Sequence, residues 1–218
     1  HEFYVLNFPL ADTTWVFDAA TSAWHERRGL INGIFTRHRS NCFVNFQGAL
    51  IVGDFETGNL YQLDLDTFDD NGDVQKWLRR WRALPTGQND FKRTAQHTLQ
   101  LICETGVGLT GHAYDEPLLT EDGEMLYVEE GVPLMLGYEI TEGADPQVMM
   151  RWSDDGGHTW SSEHWRSMGL IGTSQTRVIW RRLGMTDKLR DRVYEVSGTA
   201  PVKVAIMGAE LLLNGTNG

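Results

Sequence analysis

The feature that most constrains this chain is an eight-residue motif, Ser-Asp-Asp-Gly-Gly-His-Thr-Trp, at residues 153–160. It matches the Asp-box pattern S-x-D-x-G-x-T-W. An aspartate in a tight turn accepts hydrogen bonds from backbone N–H groups, and glycines supply the positive φ that such turns require. The motif predicts a structural hairpin with the Trp160 ring buried beneath its turn. The residues assigned to this role are Ser153, Asp155, Gly157, Thr159 and Trp160.

A second pattern favours a β-propeller, the fold in which Asp-boxes are common. Asp18 and Asp54 each begin a D-x-x-T turn between two strand-like runs, and they lie 36 residues apart. That period approaches the length of a four-stranded blade. The 23 glycines and eight tryptophans suit the tight turns and aromatic anchors of all-β folds. We therefore expect an all-β chain of propeller-like blades, forming one domain over 1–218 with an inserted acidic loop at 105–147.

Charge is distributed unevenly along the chain. Residues 1–150 carry 10 Lys and Arg against 23 Asp and Glu, whereas residues 151–218 carry 9 against 7. Residues 94–150 include no cation beside 11 acids. Because phosphate binding requires cations, this half does not form a broad basic nucleic-acid groove. Three readings of the acidic loop in this half stay open. The loop is exposed to solvent, or it lies beside a DNA duplex that it repels, or it docks on a basic partner.

Several site classes find no support in the sequence. Cys42 and Cys103 have neither zinc-site spacing nor a disulfide framework. The seven histidines form no H-E-x-x-H pattern. The aspartate-rich segment at 64–73 lacks the closing ligands of an EF-hand. No apolar run is long enough to span a membrane. We predict no cofactor, no metal and no membrane insertion, and the absence of an initial Met suggests that the chain is a fragment or lacks an N-terminal portion.

An ordered set of segments resembles one family. It runs from the Asp-box through Ser-Met-Gly-Leu-Ile-Gly at 167–172, Arg-Val-Ile-Trp-Arg-Arg-Leu-Gly at 177–184, Asp-Arg-Val-Tyr-Glu-Val at 191–196 and Pro-Val-Lys-Val at 201–204. Upstream, Val-Gly-Asp at 52–54, Gly-Asn-Leu-Tyr-Gln-Leu-Asp at 58–64 and Glu-Thr-Gly-Val-Gly at 104–108 belong to the same set. Together they resemble the tail-hub, or nozzle, proteins of short-tailed bacteriophages, called packaged-DNA stabilisation proteins.

The resemblance implies a structural role in the virion tail, after assembly in the host cytoplasm. Such proteins form a hexameric ring below the portal and its adaptor ring, help to retain packaged DNA, and later form part of its exit channel without binding it specifically. A tail needle and tail spikes or fibres attach around them. Family members are longer than this chain, and the stretch at 112–145 has no counterpart whose role transfers.

Three further assignments remain open. Arg177, Arg181 and Arg182 are candidates for a subunit interface, where arginine is enriched, or for an exposed strand face. The candidate channel or partner loop contains Glu121, Asp122, Glu124, Glu129 and Glu130. The alternative function is a carbohydrate-binding or sialidase-like propeller, which would need arginines, a tyrosine and carboxylates converging in one pocket. We favour the non-enzymatic hub.

Overall fold

The chain folds into two compact units, His1–Lys76 and Trp77–Gly218. The computed structural model describes residues 2–83, 93–109, 116–117, 120–127, 135–136, 142–186 and 192–215. Where the sequence predicts one domain, contacts within the described residues group into these two units, called unit 1 and unit 2 below. Among the described residues, no helix is long and apolar enough to cross a membrane.

Unit 1 contains two antiparallel sheets. The first has the order β1-β2-β3-β4, with β1 at Phe3–Phe8, β2 at Thr13–Asp18, β3 at Ala23–Ile31 and β4 at Ile34–Arg37. The second has the order β5-β6-β7, with β5 at Ser40–Phe46, β6 at Ala49–Asp54 and β7 at Leu60–Leu63. Neighbouring strands follow each other directly in the chain, so short turns suffice to connect them.

The D-x-x-T turns of unit 1 share one geometry. Asp18 accepts hydrogen bonds from Ala20 N at 2.9 Å and Thr21 Oγ1 at 3.0 Å. Asp54 accepts the equivalent bonds from Glu56 N and Thr57 Oγ1, both at 2.8 Å. These are Asx-type turns, in which the side chain replaces a backbone acceptor. They join β2 to β3 and β6 to β7, as the sequence pattern predicts.

Unit 2 has two larger sheets and one short strand pair. The four-stranded sheet has the order β13-β12-β15-β8, with β8 at Trp77–Arg82, β12 at Gln147–Ser153, β13 at His164–Ser167 and β15 at Val193–Gly198. The three-stranded sheet has the order β14-β9-β16, with β9 at Thr94–Cys103, β14 at Val178–Arg181 and β16 at Ile206–Gly215. The pair consists of β10 at Glu116–Pro117 and β11 at Met135–Leu136.

The core of unit 2 lies between its two larger sheets. Met150, Tyr194 and Val196 from the four-stranded sheet belong to the same buried cluster as Leu99 and Trp180 from the three-stranded sheet. Each strand places alternate side chains in this layer, as β-strand geometry requires. Apolar burial on both inner faces therefore makes unit 2 a β-sandwich.

The all-β prediction is confirmed, whereas the described sheets do not form propeller blades. Each sheet is open, and β15 pairs with β12 on one side and β8 on the other. β8 and β15 lie more than 100 residues apart in the chain, so the sheet does not grow by hairpins alone as a blade does. An Asp-box fixes only its own turn, and it fits a sandwich hairpin equally well.

Candidate functional site

The Asp-box turn joins β12 to β13, and its hydrogen bonds converge on two side chains. Asp155 accepts bonds from Ser153 Oγ at 2.6 Å, His158 N at 2.9 Å and Thr159 Oγ1 at 2.6 Å. Ser153 Oγ accepts a bond from Gly157 N at 2.8 Å. Gly157 has a φ of 107°, which disfavours any residue with a Cβ. The turn is held by local polar contacts within the motif.

The bonds to Asp155 favour its ionised form. Hydrogen bonds from Ser153 and Thr159 hold the pKa of the Asp155 carboxyl well below its ordinary value of 3.8, although desolvation acts in the opposite direction. The stabilisation from this carboxylate is therefore present above pH 3.8 and is lost as pH falls through the lower folded pKa.

Trp160 is half-buried, and its ring lies next to Gly157 of the turn, 3.7 Å from where a Cβ on that residue would be. The guanidinium carbon of Arg80 lies 5.1 Å from the ring centre and that of Arg151 lies 4.8 Å away. Both distances fall within the range of cation–π contacts. The ring thus covers two arginines of the four-stranded sheet.

These two arginines share one buried carboxylate. Glu195 accepts a hydrogen bond from Arg151 Nε at 2.6 Å and another from Arg80 Nε. The three residues form a row across β8, β15 and β12, because Glu195 is paired directly with both arginines in the sheet register. The side chain of Glu195 is 2% exposed, whereas those of Arg151 and Arg80 are 29% and 52% exposed. We call this row with Trp160 the arginine–tryptophan cluster.

A second ion pair ties the Asp-box to the core. Arg192 donates to Asp154 from Nε at 2.6 Å and from Nη2 at 2.7 Å, and its Nη1 donates to Leu183 O at 2.7 Å. Burial opposes ionisation of Arg192, but the bonds to Asp154 raise its pKa overall. Next to it, burial raises the pKa of Tyr194 to about 12. The Tyr194 hydroxyl donates to Gln96 Oε1 inside the core.

Sequence reasoning missed Asp154, Arg192 and Glu195. Asp154 occupies a variable position of the Asp-box, so the motif alone gives no reason to select it. Glu195 lies in the apolar run Val-Tyr-Glu-Val, where a charge in a buried strand signals a paired carboxylate. The sequence therefore does carry a signal for Glu195, although nothing local identifies its two arginine partners.

The candidate interface arginines lie at the β14 edge of the three-stranded sheet. Arg181 is the last residue of β14, Arg177 precedes that strand, and Arg182 follows it with a φ of 61°. All three are exposed. Val178 and Trp180 alternate with them and are buried, so Arg177 and Arg181 lie on the outer face.

The candidate acidic loop is only partly described. Glu121, Asp122 and Glu124 are exposed on a turn in which Gly123 N donates to Thr120 O at 2.9 Å. Glu129 and Glu130 lie outside the described residues. Among the residues that the structure places, no group of three or more His, Cys, Asp and Glu is arranged to hold a metal ion.

Unit 1 contains a polar cavity of about 310 Å³ beside β7. Its lining includes His38, Arg39, Tyr61, Asp64 and Asp70. Arg39 lies within 3.6 Å of a carboxylate oxygen of each of Asp54, Asp70 and Asp73. Desolvation lowers the pKa of His38, which favours a neutral imidazole. The cavity therefore combines an arginine, a tyrosine and carboxylates, with excess negative charge.

Comparison with protein families identifies one match, over residues 76–213, to the family described as bacteriophage P22 Gp10, beta-sandwich. The matched range covers unit 2 except for its last five residues, and its description agrees with the two packed sheets found there. No curated protein matches the chain.

Proposed function

The chain belongs to the family of the bacteriophage P22 Gp10 β-sandwich, and on that premise we propose that it is a structural protein of a short phage tail. The observation that carries the proposal is the match across the whole sandwich, 76–213. The segments that resemble tail-hub proteins lie largely in this range and include the Asp-box and β14. The protein would be found in the virion tail, and in the host cytoplasm during assembly.

The finer proposal is a hub. Copies of the chain form a ring, with six as the expected number, below the portal and its adaptor ring. The ring helps to retain packaged DNA and forms part of the ejection channel. The tail needle and the spikes or fibres attach to it, and DNA passes through without specific binding. The net charge of −11 supports passage without retention, because anionic walls repel phosphate.

We also propose that the protein acts without catalysis. Two buried charged side chains of unit 2 are neutralised within the sandwich, Arg192 by Asp154 and Glu195 by Arg80 and Arg151, and each of the two is 2% exposed. Groups in this state stabilise strands and are not accessible to a substrate. A sialoside or other glycoside cleaved by pure protein, with activity lost on replacing a single carboxylate, would contradict this proposal.

The hub is tested with phage that carry a nonsense codon in the corresponding gene. We expect particles that package DNA but lose it during purification, with retention restored when the protein is supplied in trans. Gold labelling of a tagged copy is expected at the tail vertex. Particles that lack the protein yet keep and eject their DNA normally would contradict the hub.

The cavity of unit 1 favours a second candidate, a carbohydrate-binding function. Its lining combines the residue types that a sugar site uses, namely an arginine, a tyrosine and carboxylates, and its volume is about 310 Å³, at the lower end of ligand pockets. A sialic acid is disfavoured, because three carboxylates already surround Arg39. Neutral sugars are therefore the probes of choice. Saturation-transfer NMR with neutral monosaccharides, repeated on Tyr61→Ala, would detect such binding, and no transfer from any sugar would exclude it.

A further inference from the structure

Three exposed cations lie close together on unit 2, along and next to β14. Arg177, Arg181 and Arg182 form neither an ion pair nor a side-chain hydrogen bond with any residue that the structure describes. The arginine–tryptophan cluster differs, because Arg80 and Arg151 share Glu195. β14 is also an edge strand, paired only with β9 among the described strands. We call Arg177, Arg181 and Arg182 the β14 arginines.

The same unit carries an acidic turn that is equally unpaired. Thr120 N donates to Glu124 O at 2.7 Å, and Glu124 N donates to Thr120 Oγ1 at 3.1 Å, so the turn is closed by its own ends. These bonds project Glu121, Asp122 and Glu124 into solvent, where none of them forms an ion pair with the described residues. We call residues 120–124 the acidic turn.

Apolar side chains adjoin both surfaces. Met125 is 49% exposed and Tyr127 is 57% exposed immediately after the acidic turn. On β14, Ile179 is partly buried between Arg177 and Arg181 on the outer face. Two surfaces that each combine charge with apolar area are suited to a specific contact, because charge sets orientation while apolar burial supplies affinity.

A cyclic ring with more than two copies needs two different, complementary surfaces on each copy. We propose that the β14 arginines of one copy bind the acidic turn of the next copy around the ring. The partner is thus a second copy of this chain, selected by opposite charge. Arg177 and Arg181 are about 13 Å apart along an extended strand, so they engage two separate carboxylates. This inference rests on the ring of the proposed function.

Charge reversal on each surface tests the contact. Arg177→Glu with Arg181→Glu makes both surfaces of one copy acidic, and Glu121→Lys with Asp122→Lys makes both basic. Each variant alone is expected to assemble more weakly, with Kd raised roughly tenfold or more because repulsion replaces attraction. An equimolar mixture is expected to recover assembly, since an acidic copy then alternates with a basic one. Arg79→Glu with Lys203→Glu is the control for the arginine variant, because it makes the same change of charge at exposed positions elsewhere in unit 2.

Sedimentation velocity across a range of salt concentrations gives the readout. Wild-type assembly is expected to weaken from about 0.1 M to 1 M salt, as the Debye length shortens from about 10 Å to 3 Å. A wild-type chain that stays monomeric at every concentration would overturn the ring and this contact together. If the wild type forms rings and both reversal variants form them equally well, the contact alone would be overturned. The acidic turn would then be free to line the channel.

A conservative variant identifies the partner even if a reversal variant fails to fold. Arg181→Lys keeps the charge and adds an amine, which a zero-length carbodiimide condenses with a nearby carboxylate. In a mixture of light and heavy-nitrogen copies, we expect mixed-isotope crosslinks from residue 181 to Glu121, Asp122 or Glu124. Arg79→Lys is the matched control. Crosslinks only within single copies, or none above that control, would contradict the contact.

Discussion

The row of Arg80, Glu195 and Arg151 makes an asymmetric prediction about stability. Glu195 is 2% exposed, whereas Arg80 is 52% exposed and Arg151 is 29% exposed. Replacing both arginines by alanine leaves a carboxylate in the sandwich without its ionic partners. Replacing Glu195 by glutamine leaves two cations that water reaches. We therefore expect the double arginine variant to be the less stable of the two.

The magnitudes follow from burial. Removing the partner of a buried charge typically costs about 3–5 kcal/mol, and the Arg80→Ala, Arg151→Ala variant belongs in that range. Glu195→Gln is expected to cost about 1–3 kcal/mol, because the amide keeps one acceptor and the exposed guanidinium groups hydrate. The exposed pair of Arg28 and Glu26, with both side chains about one-third exposed, supplies the control. Arg28→Ala is expected to cost about 0–1 kcal/mol.

Native-state hydrogen exchange measures these costs for each unit separately. Amides of β12 and β15 report on the sandwich, and those of β2 and β3 report on the sheet that contains Arg28. Urea unfolding followed by fluorescence provides a second estimate. Equal losses in Glu195→Gln and the double arginine variant, or a loss below that of Arg28→Ala, would refute the argument from burial.

Three more predictions concern unit 2. Gly108→Ala should cost about 2–3 kcal/mol or prevent folding, because its Cβ would lie 2.1 Å from Ala144 O, while Gly208→Ala, with open space around it, should be near neutral in thermal melts. Trp160→Ala should cost about 1–3 kcal/mol, less than a fully buried tryptophan, and an unchanged melting temperature would contradict its role. Asp155→Asn should lower the melting temperature at neutral pH, and its difference from wild type should shrink below pH 3.8; a difference that grows in acid would contradict the depressed pKa.

Local structure could be predicted from sequence where a short motif determines it. The D-x-x-T turns at Asp18 and Asp54 follow from nearby residues alone. β13 begins only at His164, after the Asp-box ends at Trp160. In between, Ser161 N donates to Trp152 O and Ser161 Oγ accepts from Trp152 N, a local pair that the motif does not specify.

The arrangement of the sheets could not be predicted in the same way. β15 lies between β12 and β8 through pairings that span long stretches of chain, and no turn motif encodes such pairings. The arginine–tryptophan cluster depends on the same register, since Arg80 and Glu195 meet only once β8 joins β15. The uneven charge along the sequence, in contrast, already predicts that the acidic turn and the β14 arginines are surfaces of opposite charge.

Electron microscopy of the purified chain tests the central claim, a tail protein that assembles as a ring. At low salt and high protein concentration, we expect class averages with cyclic symmetry and a central opening. In virions, density of the same diameter is expected below the portal vertex. Isolated monomers under every condition, together with tails that lack such a ring, would contradict the account.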